Sequence, residues 1–170
     1  NRLLGNHYNA PQIEVSYGAF SATFLEQTMI AVCGADLSAT LNEQAISPWR
    51  TYAVNTGDTI SFKAPVTGLR SYLAVKDGFA VDPQLSSCAT VVREKLGGIH
   101  QNGAKLTEGD IIPYVPQPHT LIKRVPSTFV STYPKKITLR FMPNISQTSA
   151  GERALKTFMQ HTYKVTPNID

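Results

Sequence analysis

Four residues combine a side chain able to carry or accept a proton with a position beside a predicted strand end or loop: Glu14, Asp36, Asp82 and His100. A carboxylate or an imidazole in such a place can transfer protons or hold a polar ligand. Taken singly, each is more typical of a surface or turn-capping residue, and only their convergence around one rim favours catalysis. Glu14, Asp36 and Asp82 are therefore the catalytic candidates, and His100 is a binding candidate.

A predicted strand at residues 68–75 carries two further polar side chains, Arg70 and Tyr72. Residues of this segment alternate in character, which sends successive side chains to opposite faces of a sheet and places Arg70 and Tyr72 on one face. Asp77-Gly78 follows and is typical of a turn. The strand thus leads directly into a polar loop, where β-proteins often place function.

Arg70 has two interpretations, as an exposed charge or as a charge covered by the loop of residues 83–109. A covered guanidinium requires a carboxylate, for which Asp36 and Asp82 are candidates. We expect the covered arrangement because the glycines at 97–98 and 103 let the loop backbone approach the sheet closely. Replacing Arg70 by alanine would then cost roughly 2 to 5 kcal/mol.

Several common chemistries are not expected from the sequence. The four histidines lack metal-ligand spacing, and neither a Gly-x-Ser-x-Gly elbow nor a His-Glu-x-x-His helix occurs, so we expect no metal site. Gly98 to Gly103 has the glycine spacing of a phosphate-binding loop, but Ala104 stands where a lysine is required. Cys33 and Cys88 have no paired spacing and are predicted to be unpaired thiols.

Length and charge narrow the class of protein. A chain of 170 residues corresponds to one domain, or to one and part of a second. Charged residues make up 16%, below the quarter typical of soluble domains, which favours a surface that packs against another protein. The net charge of +4 is dispersed, so nucleic-acid binding is not expected. Apolar runs fall short of the ~20 residues of a membrane span, so we expect no membrane association and a cytoplasmic location.

The predicted elements position these residues in a mainly β fold. Short strands at regular spacing with little helical periodicity are typical of an all-β barrel or sandwich. Strands are predicted at 13–17 and 20–24, which form a hairpin or lie side by side, and at 28–33, which is covered on both faces. A hairpin is predicted at 39–46. Further strands are predicted at 51–54 and 59–62, on either side of a turn, and at 68–75. The loop at 83–109 is long enough to suggest a functional role.

The C-terminal part of the chain differs in character. Prolines crowd residues 116–136 and predict a connection after a first subdomain at 1–115. A strand is predicted at 137–142, an amphipathic helix at 150–161, and the start of another strand at 163–165. One strand and one helix cannot cover each other's apolar faces, so residues 137–170 are expected to begin a second, incomplete subdomain.

Short motifs along the chain resemble one protein family. They are Ile13-Glu14 with Gly18, Cys33-Gly34-Ala35-Asp36, Pro48-Trp49, Gly57-Asp58, Gly68-Leu-Arg70-Ser-Tyr72-Leu-Ala-Val75, Gly78-Phe79, Asp82, Ser87 with Thr90, Gly97-Gly98, Gly103 with Leu106, and Gly109-Asp110. Their order and spacing resemble the carboxyltransferase-domain family. That family includes the C-type subunit of 5-oxoprolinase, allophanate hydrolase (urea amidolyase) subunit 2 and the sporulation regulator KipA.

The resemblance implies a fold, a partner and a site. It implies cyclophilin-like β-barrels with short helices, two in a full-length protein, and motifs that precede Asn1 and follow Asp170, so the N-terminal part of the first subdomain is expected to lie outside this chain. It implies a related-fold partner, similar to the B-type subunit of 5-oxoprolinase or to allophanate hydrolase subunit 1, with ATP or biotin handled by partner subunits and no cofactor bound here. A small amide substrate would then lie against Arg70, Tyr72, Thr90, Gly97, Gly98 and His100.

Three departures from the family pattern leave two functions open. Ser86-Ser-Cys88-Ala-Thr90 stands where the family usually has Gly-Ser-Arg-Ser-Thr, Ala104 replaces another arginine, and Asp77 replaces a glycine. Arginine suits bidentate recognition of a carboxylate. The loss of two arginines is therefore expected to change which ligand this loop can bind. One hypothesis is the non-ATPase subunit of an ATP-dependent 5-oxoprolinase or of a urea carboxylase and allophanate hydrolase system. The alternative is a KipA-like regulatory protein that sequesters a related inhibitor subunit without catalysis, and a prolyl isomerase would rest on fold analogy alone.

Overall fold

The computed structural model describes residues 1–130, 132, 134, 136–142 and 149–164. The chain divides into two compact units, residues 1–133 and residues 134–170. Among its described residues, the first unit contains β1 (Ile13–Ser16), β2 (Phe20–Thr23), β3 (Thr28–Asp36), β4 (Thr40–Leu41), β5 (Gln44–Ala45), β6 (Arg50–Val54), β7 (Thr59–Phe62) and β8 (Thr67–Val75), with 3-10 turns at Arg2–Leu4 and Ser127–Phe129.

These strands form two antiparallel sheets of four strands each, with the orders β1-β8-β3-β6 and β2-β7-β4-β5. The predicted mainly β class is therefore confirmed. Both sheets contribute to one apolar core, in which Val32 and Leu73 of the first sheet and Ile60 and Phe62 of the second are buried. The predicted hairpin at 39–46 corresponds to β4 and β5.

Strand β3 is covered on both faces, as its continuous apolar run predicts. Ile30 and Val32 face the core between the sheets. Met29 and Ala31 point the other way, into a smaller buried cluster that includes Leu4 of the first 3-10 turn. A strand with two buried faces cannot alternate polar and apolar residues, which explains the sequence pattern.

Strands β1 and β2 do not form the predicted hairpin or a neighbouring pair. Strand β1 pairs with β8, whereas β2 pairs with β7 in the other sheet. The chain passes between the sheets at Gly18, whose φ is 88° and whose added Cβ would lie 1.8 Å from the carbonyl oxygen of Lys63. A glycine that looks like a hairpin turn in the sequence is here a corner between two sheets, because only glycine fits this close approach.

Residues 83–109 form a long connection without a regular strand, as predicted. Two isolated bridges shape it, Gln84 with Ser87 and Val91 with Leu96. The loop thus consists of successive turns.

The second unit contains one helix among its described residues. Helix α1 (Ser149–Gln160) confirms the predicted amphipathic helix at 150–161 to within one residue at each end. Phe158 of this helix contacts Phe141 and Tyr163, with ring centroids 5.5 and 5.1 Å apart.

The strand predicted at 137–142 is wrong, since no described residue pairs with this exposed segment. Alternation favours an extended backbone but cannot supply the neighbouring strand that would bond to it. The start of a further strand, predicted at 163–165, includes Val165, which lies outside the described residues. In the described part of the chain, no helix has the length and apolar character needed to cross a membrane.

Candidate functional site

An open groove of about 1740 Å³ runs along β1 in the first unit. One wall is built from consecutive residues 8–20, which include the whole of β1. The opposite wall comes from the long loop, through residues 86–90, 98–99 and 105–106. The groove therefore combines a regular strand with an irregular loop, and its polar groups come from both.

A polar cluster projects from the strand wall and centres on the carboxylate of Glu14. Arg70 Nε lies 3.2 Å from Glu14 Oε1, and Ser16 Oγ donates to the same oxygen at 3.1 Å. Tyr72 Oη donates to Glu14 Oε2 at 3.1 Å. We call Glu14, Ser16, Arg70 and Tyr72 the strand cluster. It offers a carboxylate oxygen that accepts hydrogen bonds beside a guanidinium that donates them.

The register of the strands explains this cluster. Glu14 pairs with Tyr72 and Ser16 pairs with Arg70 in the antiparallel ladder. Side chains of directly opposed and diagonal residues on one face of such a pair are within reach of each other. The Tyr72 ring lies over Gly34 of β3, where an added Cβ would stand 3.3 Å from the ring. Any larger residue at position 34 would crowd this tyrosine.

The predicted burial of Arg70 beneath the loop is wrong. Its side chain is 65% exposed and its carboxylate partner is Glu14, neither Asp36 nor Asp82. The reason is that β1 lies directly beside β8, so Glu14 meets Arg70 across the strand pair before any loop residue can. The predicted cost of Arg70→Ala in free energy of unfolding is therefore smaller, because exposed ion pairs contribute little to stability.

Asp36 lies away from the groove and serves the backbone. Its Oδ1 accepts a hydrogen bond from the Ser38 amide at 3.0 Å, where β3 ends in a turn. Because it does not line the groove, the structure does not bring it together with Glu14.

The loop brings Thr90, Gly97 and Gly98 together. An added Cβ at Gly97 would lie 2.1 Å from the carbonyl oxygen of Ala89, and one at Gly98 would lie 2.7 Å from Thr90 Oγ1. The Gly97 amide also donates to Gln84 Oε1 at 2.6 Å. Thr90 and Gly98 line the groove, whereas Gly97, which is buried like Gly98, does not. The two glycines thus allow residues 89–90 to pack directly against the next turn of the loop.

Asp82 and His100 line a second, smaller cavity of about 480 Å³. Val81 and Ile99 line both spaces and so lie between them. His100 Nε2 is 3.1 Å from Asp110 Oδ2. The structure therefore places Glu14 and Thr90 on the groove but His100 and Asp82 on its neighbour.

Asp110 is fixed from several directions. Its Oδ2 accepts the Thr107 amide at 2.7 Å and the Thr107 hydroxyl at 3.3 Å. The bond from the Thr107 amide, and next to it the contact with His100, hold the pKa of Asp110 below its usual value. Asp110 is thus a carboxylate at neutral pH.

The two cysteines are unpaired thiols, as predicted. Burial raises the pKa of Cys33. Cys88 lines the groove and donates from Sγ to the carbonyl oxygen of Val81 at 3.3 Å. Within the described ranges, no three His, Cys, Asp or Glu side chains come together in a way that could hold a metal ion.

Two residues of these polar clusters, Ser16 and Asp110, are not among the candidates that the sequence indicates. Ser16 alternates with Glu14 on a strand, so the period of two could have placed both on one face. Asp110 follows Gly109 at the end of the long loop, but its pairing with His100 depends on how the loop folds. Ser16 therefore has a periodic signal in the sequence, whereas Asp110 is marked only by its motif with Gly109.

Comparisons with known proteins agree with this fold. The sequence pattern described as "Carboxyltransferase domain, subdomain A and B" matches residues 1–170. The chain is 36% identical over 114 residues to the C-type subunit of 5-oxoprolinase from Escherichia coli, which covers 66% of this chain and 36% of that protein. It is 33% identical over 126 residues to urea amidolyase of Lachancea kluyveri, which covers 74% of this chain and 7% of that protein.

A solved structure gives the same result. The urea amidolyase of K. lactis superposes with a TM-score of 0.70 and 28% sequence identity, covering 79% of this chain and 9% of that one. The chain therefore spans about a third of the bacterial relative and under a tenth of the yeast relatives.

Proposed function

The chain belongs to the carboxyltransferase-domain family, subdomains A and B, and from this membership we propose that it is part of the non-ATPase subunit of an ATP-dependent 5-oxoprolinase. Its role would be to bind a small cyclic amide in the groove beside β1. The family membership and the similarity to a 5-oxoprolinase subunit support the assignment to a 5-oxoprolinase. Because the chain spans only part of that relative, the reaction itself is part of the proposal.

The observation that carries the proposal is the strand cluster, in which Glu14, Ser16 and Tyr72 line the groove and Arg70 contacts Glu14 from beside it. An amide presents an N–H donor next to a C=O acceptor, so a complementary site needs an acceptor next to a donor. Glu14 supplies the acceptor and Arg70 the donor, and their contact at 3.2 Å holds them side by side. Arg70 uses Nε for this contact, which leaves its two Nη groups for a ligand carbonyl or carboxylate.

The loop wall completes the proposed site. Thr90 contributes a hydroxyl to the groove, and Gly98 contributes backbone without a side chain. Gly97 allows the backbone of this wall to pack closely at Ala89. We therefore assign Glu14, Arg70, Tyr72, Thr90, Gly97 and Gly98 to substrate binding or its support. Glu14 is the group that would touch the amide nitrogen.

The remaining components are assigned to other chains. A related-fold partner, similar to the B-type subunit of 5-oxoprolinase, would lie against this protein, and ATP would be handled by a further chain. The low proportion of charged residues, 16%, supports a surface that is covered by a partner. The same proposal places the complex in the cytoplasm.

The similarity to urea amidolyases favours a second candidate, a urea carboxylase or allophanate hydrolase system. Urea is also an amide, and the same acceptor and donor pair could hold it, with biotin supplied by a partner. A KipA-like regulator without catalysis is the third outcome, since Ser87, Cys88 and Ala89 leave this stretch of the groove wall without a cationic side chain.

A reconstitution assay separates these candidates. The complete natural protein and its partner subunits are tested for ATP-dependent opening of 5-oxoproline, and in parallel for ATP-dependent carboxylation of urea in the presence of a biotin carboxylase component. We expect turnover of 5-oxoproline and none of urea. The reverse result would select the urea system. A stable complex with a partner subunit and no turnover of either amide would select the regulator.

A further inference from the structure

Strand β1 is the outer strand of its sheet, and its outer edge faces the groove. It has β8 on one side and, among the described residues, no strand on the other. Residues 8–20 all line the groove, so this edge is part of the groove wall. An unpaired strand edge presents backbone N–H and C=O groups with which another chain can pair.

The register shows which backbone groups point into the groove. The Tyr17 amide donates to the Leu69 carbonyl oxygen at 2.8 Å, and residues of an antiparallel pair alternate between bonded and non-bonded positions. Tyr17 and every second residue before it therefore bond to β8, whereas the amides and carbonyls of Glu14 and Ser16 point away from it. Within the described part of the chain, no other segment forms a hydrogen bond with these four groups.

The side chains along this edge alternate between two environments. Val15 is buried in the core, whereas Glu14 is exposed. Phe20 and Val81 line the groove and pack against the same core while only partly buried. A segment that pairs with β1 places its side chains on the same two faces, so apolar residues alternating with polar ones fit this edge.

The charges of the groove favour an acidic occupant. Arg2 and Lys105 line the groove, and neither forms an ion pair with a carboxylate of the described ranges. Glu14 is the only carboxylate among the groove-lining residues, and it is already paired with Arg70. The groove therefore has an excess of positive charge, which is complementary to carboxylates.

The size of the groove and its second wall limit the shape of the occupant. The volume of about 1740 Å³ exceeds the roughly 300–1,000 Å³ of a site for one small molecule. The other wall is formed by the long loop of this same chain. A single extended segment can lie between the two walls, whereas the edge of another sheet would bring its neighbouring strands against the loop.

We propose that the outer edge of β1 binds an extended acidic segment of a partner protein by strand addition. The backbone groups of Glu14 and Ser16 pair with the backbone of the segment. Its apolar side chains lie in the groove, and its carboxylates bind Arg2 and Lys105. Side chains stand roughly perpendicular to a sheet, so this contact at the edge does not use the Glu14 carboxylate proposed to bind the amide.

The test uses the complete natural protein and an acetylated, amidated peptide of sequence Asp-Val-Thr-Val-Asp. NMR measures amide hydrogen exchange at each residue of β1. We expect rapid exchange at Glu14 and Ser16 without peptide, and about tenfold slower exchange when the peptide exceeds its Kd about tenfold. The Val15 amide, which points to β8, should exchange slowly in both samples.

Methylated peptides test the strand pairing. A peptide residue that lies opposite Glu14 or Ser16 shares their polar face and bonds to them, so the threonine N–H points to β1 and the valine N–H groups point away. N-methylation of the threonine should weaken binding, measured by calorimetry, about tenfold or more. N-methylation of one valine should weaken it much less.

A pair of lysine variants tests the charge contact. Lys105→Gln should weaken binding of the acidic peptide about two- to fivefold at low salt, the effect of an exposed ion pair. Lys95→Gln is the control, because Lys95 is exposed in the same loop and does not line the groove. The uncharged peptide Asn-Val-Thr-Val-Asn should bind both variants equally.

Four results would overturn the proposal. Slow exchange at Glu14 and Ser16 without peptide would show that the complete protein already covers this edge. Absence of saturable binding would mean that no site exists. Equal weakening by the two methylated peptides would exclude strand pairing, and equal affinity of Lys105→Gln and Lys95→Gln for the acidic peptide would remove the charge contact. None of these readings depends on amide turnover, so failure here and failure of the proposed function remain distinguishable.

Discussion

The strand cluster and the His100–Asp110 pair lie on neighbouring spaces but are held by different means. Glu14 and Tyr72 are placed by the ladder between β1 and β8, where each position is set by the register of a whole strand. His100 and Asp110 are placed by successive turns of a loop with close backbone contacts at glycine. A site on strands inherits the stability of the core, whereas a site on a loop depends on a few local contacts.

The core beneath the strand cluster should show the largest effect. Leu73 is 1% exposed and lies between Tyr72 and Ala74 on β8. We expect Leu73→Ala to lower the free energy of unfolding by about 2–5 kcal/mol, because it removes buried methyl groups and leaves a cavity. Urea unfolding measures this. The matched control is Leu69→Ala on the same strand, where Leu69 is 52% exposed, and it should cost within about 0.5 kcal/mol. Equal losses would contradict the assignment of the core.

Substitution of Gly97 should destabilise the loop. Its φ is 67°, and an added Cβ would meet the Ala89 carbonyl oxygen at 2.1 Å. We expect Gly97→Ala to cost about 2–4 kcal/mol, from left-handed backbone strain together with overpacking. Amide hydrogen exchange should increase in residues 84–104 and remain unchanged in β3.

Gly109→Ala is the control for this change. Gly109 also has a positive φ, 89°, but an added Cβ meets nothing within 4 Å. It should therefore cost only the backbone strain, about 1–2 kcal/mol. If both variants lose the same stability, the close contact at Gly97 does not exist.

Acidification should remove the stability that the Asp110 carboxylate contributes. The folded pKa of Asp110 lies below its ordinary value of 3.8, chiefly because the Thr107 amide bonds to the carboxylate. A depressed carboxyl pKa stabilises the fold above the ordinary value, and that contribution is lost as the pH falls through the lower, folded value. Wild type should therefore exceed Asp110→Asn in stability at neutral pH, and the difference should shrink below about pH 4. A difference that grows on acidification would contradict the sign.

The exposed ion pair of the strand cluster should show the smallest effect on stability. Arg70 and Glu14 have side chains that are 65% and 45% exposed. We expect Arg70→Ala to change the free energy of unfolding by less than about 0.5–1 kcal/mol, since water already solvates both charges. Thermal unfolding at low and high salt measures this. A loss of several kcal/mol in free energy of unfolding would instead support the covered arrangement of Arg70 that the sequence predicts.

The difference between these two regions also explains what the sequence could predict. The apolar run at 28–33 and the alternation at 68–75 were sufficient to place β3 and β8, because each pattern follows from how many faces a strand buries. They could not show that β1 lies beside β8, because strand order is a property of the whole fold. For that reason the sequence marks Glu14 as a candidate but does not predict its pairing with Arg70.

The loop was less predictable for a different reason. Its glycines indicated close backbone approach, and Gly97 and Gly98 do make such contacts. Which segments approach one another depends on contacts between residues distant in the chain, such as Gly97 with Gln84. No periodic pattern records these contacts, so the sequence does not predict the pairing of His100 with Asp110.

The most direct measurement of the proposed function compares Glu14→Gln with Glu43→Gln in the reconstituted 5-oxoproline assay. Glu43 is exposed in the β4–β5 turn and does not line the groove, so it matches the chemical change without touching the site. We expect Glu14→Gln to lower kcat/KM by roughly tenfold or more, the effect of weakening one charged hydrogen bond to the amide, and Glu43→Gln to leave it unchanged. Equal kcat/KM in the two variants, with both proteins folded, would contradict amide recognition by the strand cluster.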